Sequence, residues 1–190
     1  MTDTLHLLPW VVLAPLLGAP LLAPLGARLG GRTGWVALLF PLLSLAGLLH
    51  LTSAAGPQAL VRWDWVPALG VEFGLRLDGL SLFFSGLVSG MGLLIAWYAR
   101  FYLGDKSPYP GRFYSYLILF MAAMLGTVLA DHLLLLFLFW ELTGLASFLL
   151  IGFLHETRDS RIGARQALLV TGGTGLLMLA GILLLGQQTG

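Results

Sequence analysis

The chain has 190 residues, of which 58% are apolar and only 10% charged, with a formal net charge of +1 and a mean hydropathy of +0.90. A soluble domain carries roughly 25% charged residues, so this chain cannot cover its own surface with polar groups, and burial has to come from lipid. The near-neutral charge leaves no basic stripe for a nucleic-acid partner, the absence of cysteine rules out disulfides and thiolate chemistry, and the scattered His6, His50, His132 and His155 offer no metal-ligand spacing.

The apolar runs fall at 5–25, 35–51, 80–102, 113–129, 132–153 and 163–185. Each is near the roughly 20 residues that a bilayer requires, which predicts about six transmembrane helices in one membrane domain spanning 1–190. The first run is too long for a signal-peptide core and has no Lys or Arg before Arg28, so it reads as a span. It contains Pro9, Pro15, Pro20 and Pro24. Either kinks or neighbours that re-satisfy the freed carbonyls are expected there.

Between the second and third spans, Val61-Arg62-Trp63-Asp64-Trp65 alternates, as does the stretch from Val71 to Asp78, with Pro67 and Gly70 between them. Two period-two runs around a Pro/Gly turn predict a β-hairpin over 60–78; an irregular aromatic loop is the alternative. The hairpin would cap one membrane face, with Trp63 and Trp65 near the interface. Asp78 and Asp131 each begin a helix, where an acid suits the N-terminal dipole, so capping is expected of both.

The third span contains the spacing Gly86-x-x-x-Gly90, and the sixth has Ala167, Thr171 and Gly175 at four-residue intervals. Both read as close helix packing, with Gly144 of the fifth span giving room to a neighbouring helix. Thr171-Gly172-Gly173-Thr174-Gly175 lacks the Lys-Ser/Thr of a phosphate loop and lies in an apolar span, so it is not read as one.

The fourth and fifth spans are separated by only Ala130 and Asp131, which implies a tight antiparallel pair. Within the fifth, Glu141 lies about ten residues past Asp131, or about 14 Å at helical rise, near the bilayer midplane. Insertion scales charge about 2.5–3.5 kcal/mol for an acid there, so such a residue is a functional candidate by default. Removal from water favours the neutral carboxyl and a nearby cation favours the charged one, so moving a cation would make Glu141 take up or release a proton. The competing reading is a permanently protonated Glu141 that hydrogen-bonds a neighbouring helix. No Lys or Arg stands at mid-depth in any of the six runs. His132 and Asp131 are candidate points of proton access from the surface.

Basic residues set the orientation. Arg28, Arg32, Arg100, Lys106, Arg112, Arg158, Arg161 and Arg165 fall in connections on one side, and only Arg62 and Arg76 on the other. The positive-inside rule makes the first group cytoplasmic and puts the N-terminus and the hairpin outside.

The stretch Ala130-Asp131-His132, its following leucine run and Phe139-Trp140-Glu141-Leu142-Thr143 resemble the fifth helix of the A-type subunit of Mrp-type multisubunit sodium/proton antiporters. Leu77-Asp78-Gly79-Leu80-Ser81-Leu82-Phe83-Phe84 resembles the start of the third helix, and Arg161-Ile162-Gly163-Ala164-Arg165-Gln166 the approach to the sixth. The same superfamily includes the antiporter-like membrane subunits of bacterial complex I. The resemblance implies a non-enzymatic transporter component in a bacterial cell membrane, without cofactor, that works with lipid, other hydrophobic subunits, H+ and Na+. It implies that Glu141 is the family's membrane glutamate, paired with a lysine on a seventh helix. The chain then looks like the N-terminal piece of a longer protein, not competent to transport ions alone. His132 departs from the asparagine usual at its place. Gly172 and Gly175 stand where complex I relatives often carry an arginine and an aspartate, which favours the Mrp type. The alternatives are a proton-pumping subunit of a redox complex and a scaffold fragment without transport.

Overall fold

The computed structural model describes residues 6–55, 58–66, 71–103 and 109–189. In chain order the elements are α1 (Leu7–Leu29), a single 3-10 turn (Gly30–Arg32), α2 (Thr33–Ala37), α3 (Leu39–Ala55), β1 (Ala59–Val66), β2 (Val71–Leu77), α4 (Gly79–Leu103), α5 (Pro110–Leu129), α6 (Leu133–Ile151), a 3-10 turn (Gly152–Leu154) and α7 (Arg158–Thr189). Among the described residues, five stretches are long and apolar enough to cross a membrane, and the first, Leu7–Ser53, is 47 residues long. That is more than twice what one crossing needs, and the stretch folds back on itself. Ser44 Oγ donates to the Val11 carbonyl at 2.9 Å, and the Phe40 ring fills the space beside Gly18, so α1 and α3 run antiparallel. The expected six spans are therefore present as α1, α3, α4, α5, α6 and α7.

The reversal comes at Gly30, whose φ of 52° lies in the left-handed region that glycine adopts without strain. α1 itself stays helical through Pro15, Pro20 and Pro24. It is enclosed by neighbours: Gly26 approaches the backbone of Gly111 in α5 too closely for either residue to carry a Cβ. Helices that meet through small residues in this way are held by close van der Waals contact, because lipid tails offer no hydrophobic drive between helices.

α5 is the best buried of the spanning helices and α7 the least. The larger core joins Leu8 and Val12 of α1, Leu48 and Leu51 of α3, Leu125 and Leu129 of α5, and Leu135 and Phe139 of α6. Leu75 and Leu77 of β2 belong to the same core, so the hairpin is a plug driven into one end of the bundle. Outward faces are apolar as well; Leu169 and Leu177 of α7 are 76% and 74% exposed. A surface of that kind suits hydrocarbon or the apolar face of another helix, not water.

The hairpin is antiparallel with Trp63 opposite Phe73 and Arg62 opposite Gly74, and its register shifts between Asp64 and Val66. The expected turn at Pro67 to Gly70 lies outside the described residues. Alternation places Ala59, Val61, Leu75 and Leu77 on the core side. It leaves Arg62, Gly74 and Arg76 on the other side.

The two ends of the bundle differ in charge. At one end α1 finishes against the start of α5, Gly34 meets Tyr114 and Arg100, and Phe113 meets Phe153 at 5.6 Å between ring centroids. Arg28, Arg32, Arg100, Arg112, Arg158, Arg161 and Arg165 all belong to this end; Lys106 lies outside the described residues. The opposite end holds the hairpin, with Arg62 and Arg76, and the α5–α6 junction.

Candidate functional site

α6 is 19 residues long, and Glu141 is the ninth of them, which puts its Cα about 12 Å in from the start of the helix. Among the described residues it is the only acid in the interior of a spanning helix. Its half-buried carboxylate lies against Gly175 of α7, and its Oε1 and Cδ occupy the place where a side chain at 175 would begin. Three residues on along α6, Gly144 faces Thr171, whose Oγ1 stands 3.3 Å from the position of a Cβ at 144. Further along, Gly152 faces Ala164. α6 and α7 thus pack antiparallel along a seam of small residues, and the seam leaves a notch that the carboxylate fills. Thr171 spends its hydroxyl on the Ala167 carbonyl at 2.8 Å. Among the described residues no cation pairs with Glu141.

Sequence reasoning placed Gly144 and Gly175 at a close contact, and both lie in this seam. Gly86 and Gly90 are different: nothing lies within 4 Å of a Cβ built at either position. The packed ridge of α4 is instead Ser81, Ser85, Ser89, Gly92, Ala96 and Ala99. The G-x-x-x-G spacing permits close approach but does not supply a partner, and no helix of this chain covers it among the described residues.

Asp131 has another role than the cap expected of it. His132 caps α6, its Nδ1 accepting from the Leu134 amide at 3.2 Å. The side chain of Asp131, 7% exposed, accepts instead from Arg62 Nη2 at 2.6 Å and from Arg76 Nε at 2.5 Å. The hydrogen bond and charge of Asp131 hold the Arg62 guanidinium even more firmly protonated than usual. Glu72 adds a looser contact to Arg62 at 3.7 Å. The backbone takes part too: the Asp131 amide donates to the Gly74 carbonyl at 2.9 Å, and Ala130 forms a bridge with Leu75. Gly74 makes the approach possible, since Asp131 Cβ lies 3.2 Å from where a side chain at 74 would start.

Asp78 does cap its helix. Its Oδ1 accepts from the Ser81 amide at 2.8 Å while Ser81 Oγ accepts from the Asp78 amide at 2.7 Å. The Ser81 amide holds this carboxyl below its ordinary range. The Arg62–Asp131–Arg76 cluster was missed by sequence reasoning. Its signal was present: positions 62 and 76 share one face of the expected hairpin, at the membrane face where Asp131 starts a helix.

A sequence profile described as "NADH-Ubiquinone oxidoreductase (complex I), chain 5 N-terminus" matches residues 63–114. A second, described as "NADH:quinone oxidoreductase/Mrp antiporter, TM", matches residues 130–190. A Staphylococcus aureus protein named as the A1 subunit of an Na(+)/H(+) antiporter is 43% identical over 189 residues, covering 97% of this chain and 23% of its own length. A Rhizobium meliloti (strain 1021) protein named as the A/B component of a probable K(+)/H(+) antiporter is 44% identical over 152 residues, covering 80% of this chain and 14% of its own. The chain thus spans less than a quarter of the length of these curated relatives. Among solved structures, the Mrp complex from Dietzia sp. DQ12-45-1b matches with a TM-score of 0.80 at 33% identity, covering 91% of this chain and 18% of that one. A chain of an archaeal membrane-bound sulfane sulfur reductase shares the fold, with a TM-score of 0.78 at 22% identity, over 96% of this chain and 28% of that one. The multi-pass helical fold, the hairpin and these matches together mean that the chain belongs to the antiporter-like membrane subunits common to Mrp antiporters and complex I, and corresponds to the N-terminal part of the A-type Mrp subunit.

Proposed function

We propose that this chain is part of a monovalent cation/proton antiporter, in which Glu141 carries the proton. The observation that carries the reading is the seat of Glu141: a carboxylate at the middle of a spanning helix, in a notch kept open by Gly175, without a cation partner among the described residues. An acid at the middle of a spanning helix is a candidate proton carrier by its place alone, and a cation that comes and goes beside it would couple the proton to ion movement. The basic partner, and the rest of any path across the membrane, belong to other segments or subunits. His132 and Asp131 lie at the hairpin end of the same helix, where protons would arrive from outside in the orientation that the basic residues favour. Asp131 is already engaged with two arginines, so His132 is the better candidate of the two.

The exchanged cation is Na+ in this reading, supported by the relative named for Na+; the relative named for K+ defines the competing ion. The test is Glu141→Gln in the complete membrane complex, assayed in everted vesicles by cation-dependent dequenching of a pH dye. Dequenching by Na+ is expected in the parent and its loss in the variant. Unchanged exchange by Glu141→Gln would remove this residue from the mechanism, and dequenching by K+ alone would reassign the cation. The match of residues 63–114 to a complex I profile supports a second reading, a proton-pumping component of a redox-driven assembly. Copurification with flavin and iron–sulfur proteins would establish it.

A further inference from the structure

Where the start of α5 meets the end of α6, a cleft of about 270 Å³ opens at the basic end of the bundle, lined by Tyr109, Arg112, Tyr116, Phe148, Phe153 and His155 among others. Its chemistry is graded. The Arg112 guanidinium stacks 4.6 Å over the Tyr109 ring at the rim, is exposed, and pairs with no carboxylate among the described residues. Arg161 ties down the other rim, donating to the carbonyls of His155 and Glu156 at 2.7 and 3.0 Å. Glu156 itself lines the adjoining cleft with Tyr109 and Phe153. From this rim the walls run inward along two spanning helices. Tyr116 lies one helical turn, about 6 Å, beyond Arg112, and Phe148 begins about 10 Å inward of His155.

A small anion would use only the rim of such a cleft. A phospholipid would use all of it, with phosphate on the planar fork of Arg112 and an acyl chain along Tyr116 and Phe148. We propose that this cleft is a binding site for one anionic phospholipid. The seven described arginines at this end of the bundle, against Glu156 and Asp159 there, favour an anionic over a zwitterionic headgroup, since each basic residue at a membrane surface strengthens attraction to anionic lipid about fivefold. This inference does not depend on which ions the assembly exchanges.

The experiment uses the complete complex, extracted in mild detergent, incubated with phosphatidylglycerol or phosphatidylcholine and weighed by native mass spectrometry. The parent should keep one phosphatidylglycerol per complex through detergent washing that strips phosphatidylcholine. Arg112→Gln should cut that retention about fivefold, while Arg112→Lys, which keeps the charge but not the planar fork, should fall between that variant and the parent. Phe148→Ala should lower retention while leaving the headgroup preference intact. Added inorganic phosphate should not displace the lipid; displacement would mean a simple anion site and overturn the proposal. Equal retention of the two lipids by the parent, or equal retention of phosphatidylglycerol by the parent and Arg112→Gln, would also overturn it.

Discussion

Gly175 holds a stricter position than any other residue near Glu141. A methyl group there would occupy the space of the glutamate carboxyl, so Gly175→Ala should push Glu141 out of its notch while leaving the outward face of α7 untouched. Cation/proton exchange by the complete complex should fall sharply, with assembly close to normal on a native gel. Gly144→Ala is the control. Its new methyl would meet Thr171 Oγ1 at 3.3 Å and Thr171 Cβ at 3.5 Å, a contact that a small adjustment relieves, so its effect on exchange should be the milder. Equal losses from both would mean that general seam packing, not the carboxylate seat, is what matters. At Asp78 the prediction concerns pH. The Ser81 amide lowers the folded carboxyl below its unfolded value, so the cap stabilises at pH above the unfolded value, near 4, and fades as pH falls through the folded one. Asp78→Asn should therefore lower the melting temperature of the purified complex at neutral and alkaline pH, with the difference from the parent narrowing in acid.

At the level of elements, the hairpin and the α5–α6 junction form one unit. Leu75 is fully buried in the core that α1, α3, α5 and α6 share, so Leu75→Ala should destabilise by about 2–5 kcal/mol, seen as a lower denaturation midpoint. Asp131→Asn leaves Arg62 and Arg76 without their charged acceptor and should loosen the hairpin, raising its cleavage by added protease. The elements were legible in the sequence because their signals are local: apolar runs of bilayer length, period-two alternation, and a Pro/Gly turn. The ion cluster gave only a partial signal, two arginines on one hairpin face, because Arg62 and Asp131 are 69 positions apart and only the packing of β2 against Ala130 brings them together. The Gly86 and Gly90 ridge shows the reverse failure. Local sequence there permits a contact that, among the described residues, no other helix makes.

For the whole molecule, the separation of charge between the ends makes orientation testable. These 190 residues contain no cysteine, so a reporter introduced among them is the only thiol of this stretch. A cysteine at Thr157 should react with an impermeant maleimide only in everted vesicles, and one at Trp65 only in intact cells; the opposite pattern would reverse the assigned sidedness. The number of spans and the grouping of basic residues could be read from the order of apolar runs and charges along the chain. The depth at which Glu141 sits could be estimated by counting along α6. What it touches could not, since Gly175 enters through the antiparallel return of α7, and the chain's own order says nothing of which rotational setting that return adopts.

That setting has a mechanical consequence. Gly175 is flanked by Thr174 and Leu176, and successive side chains on a helix point about 100° apart. If α7 turned about its long axis by a single residue, a hydroxyl or an isobutyl group would swing into the space that the carboxylate now fills, so the notch exists in one angular position and is closed in those beside it. The seat of the acid is thus set by the rotational position of α7, and whatever turned that helix would open or close the space opposite Glu141.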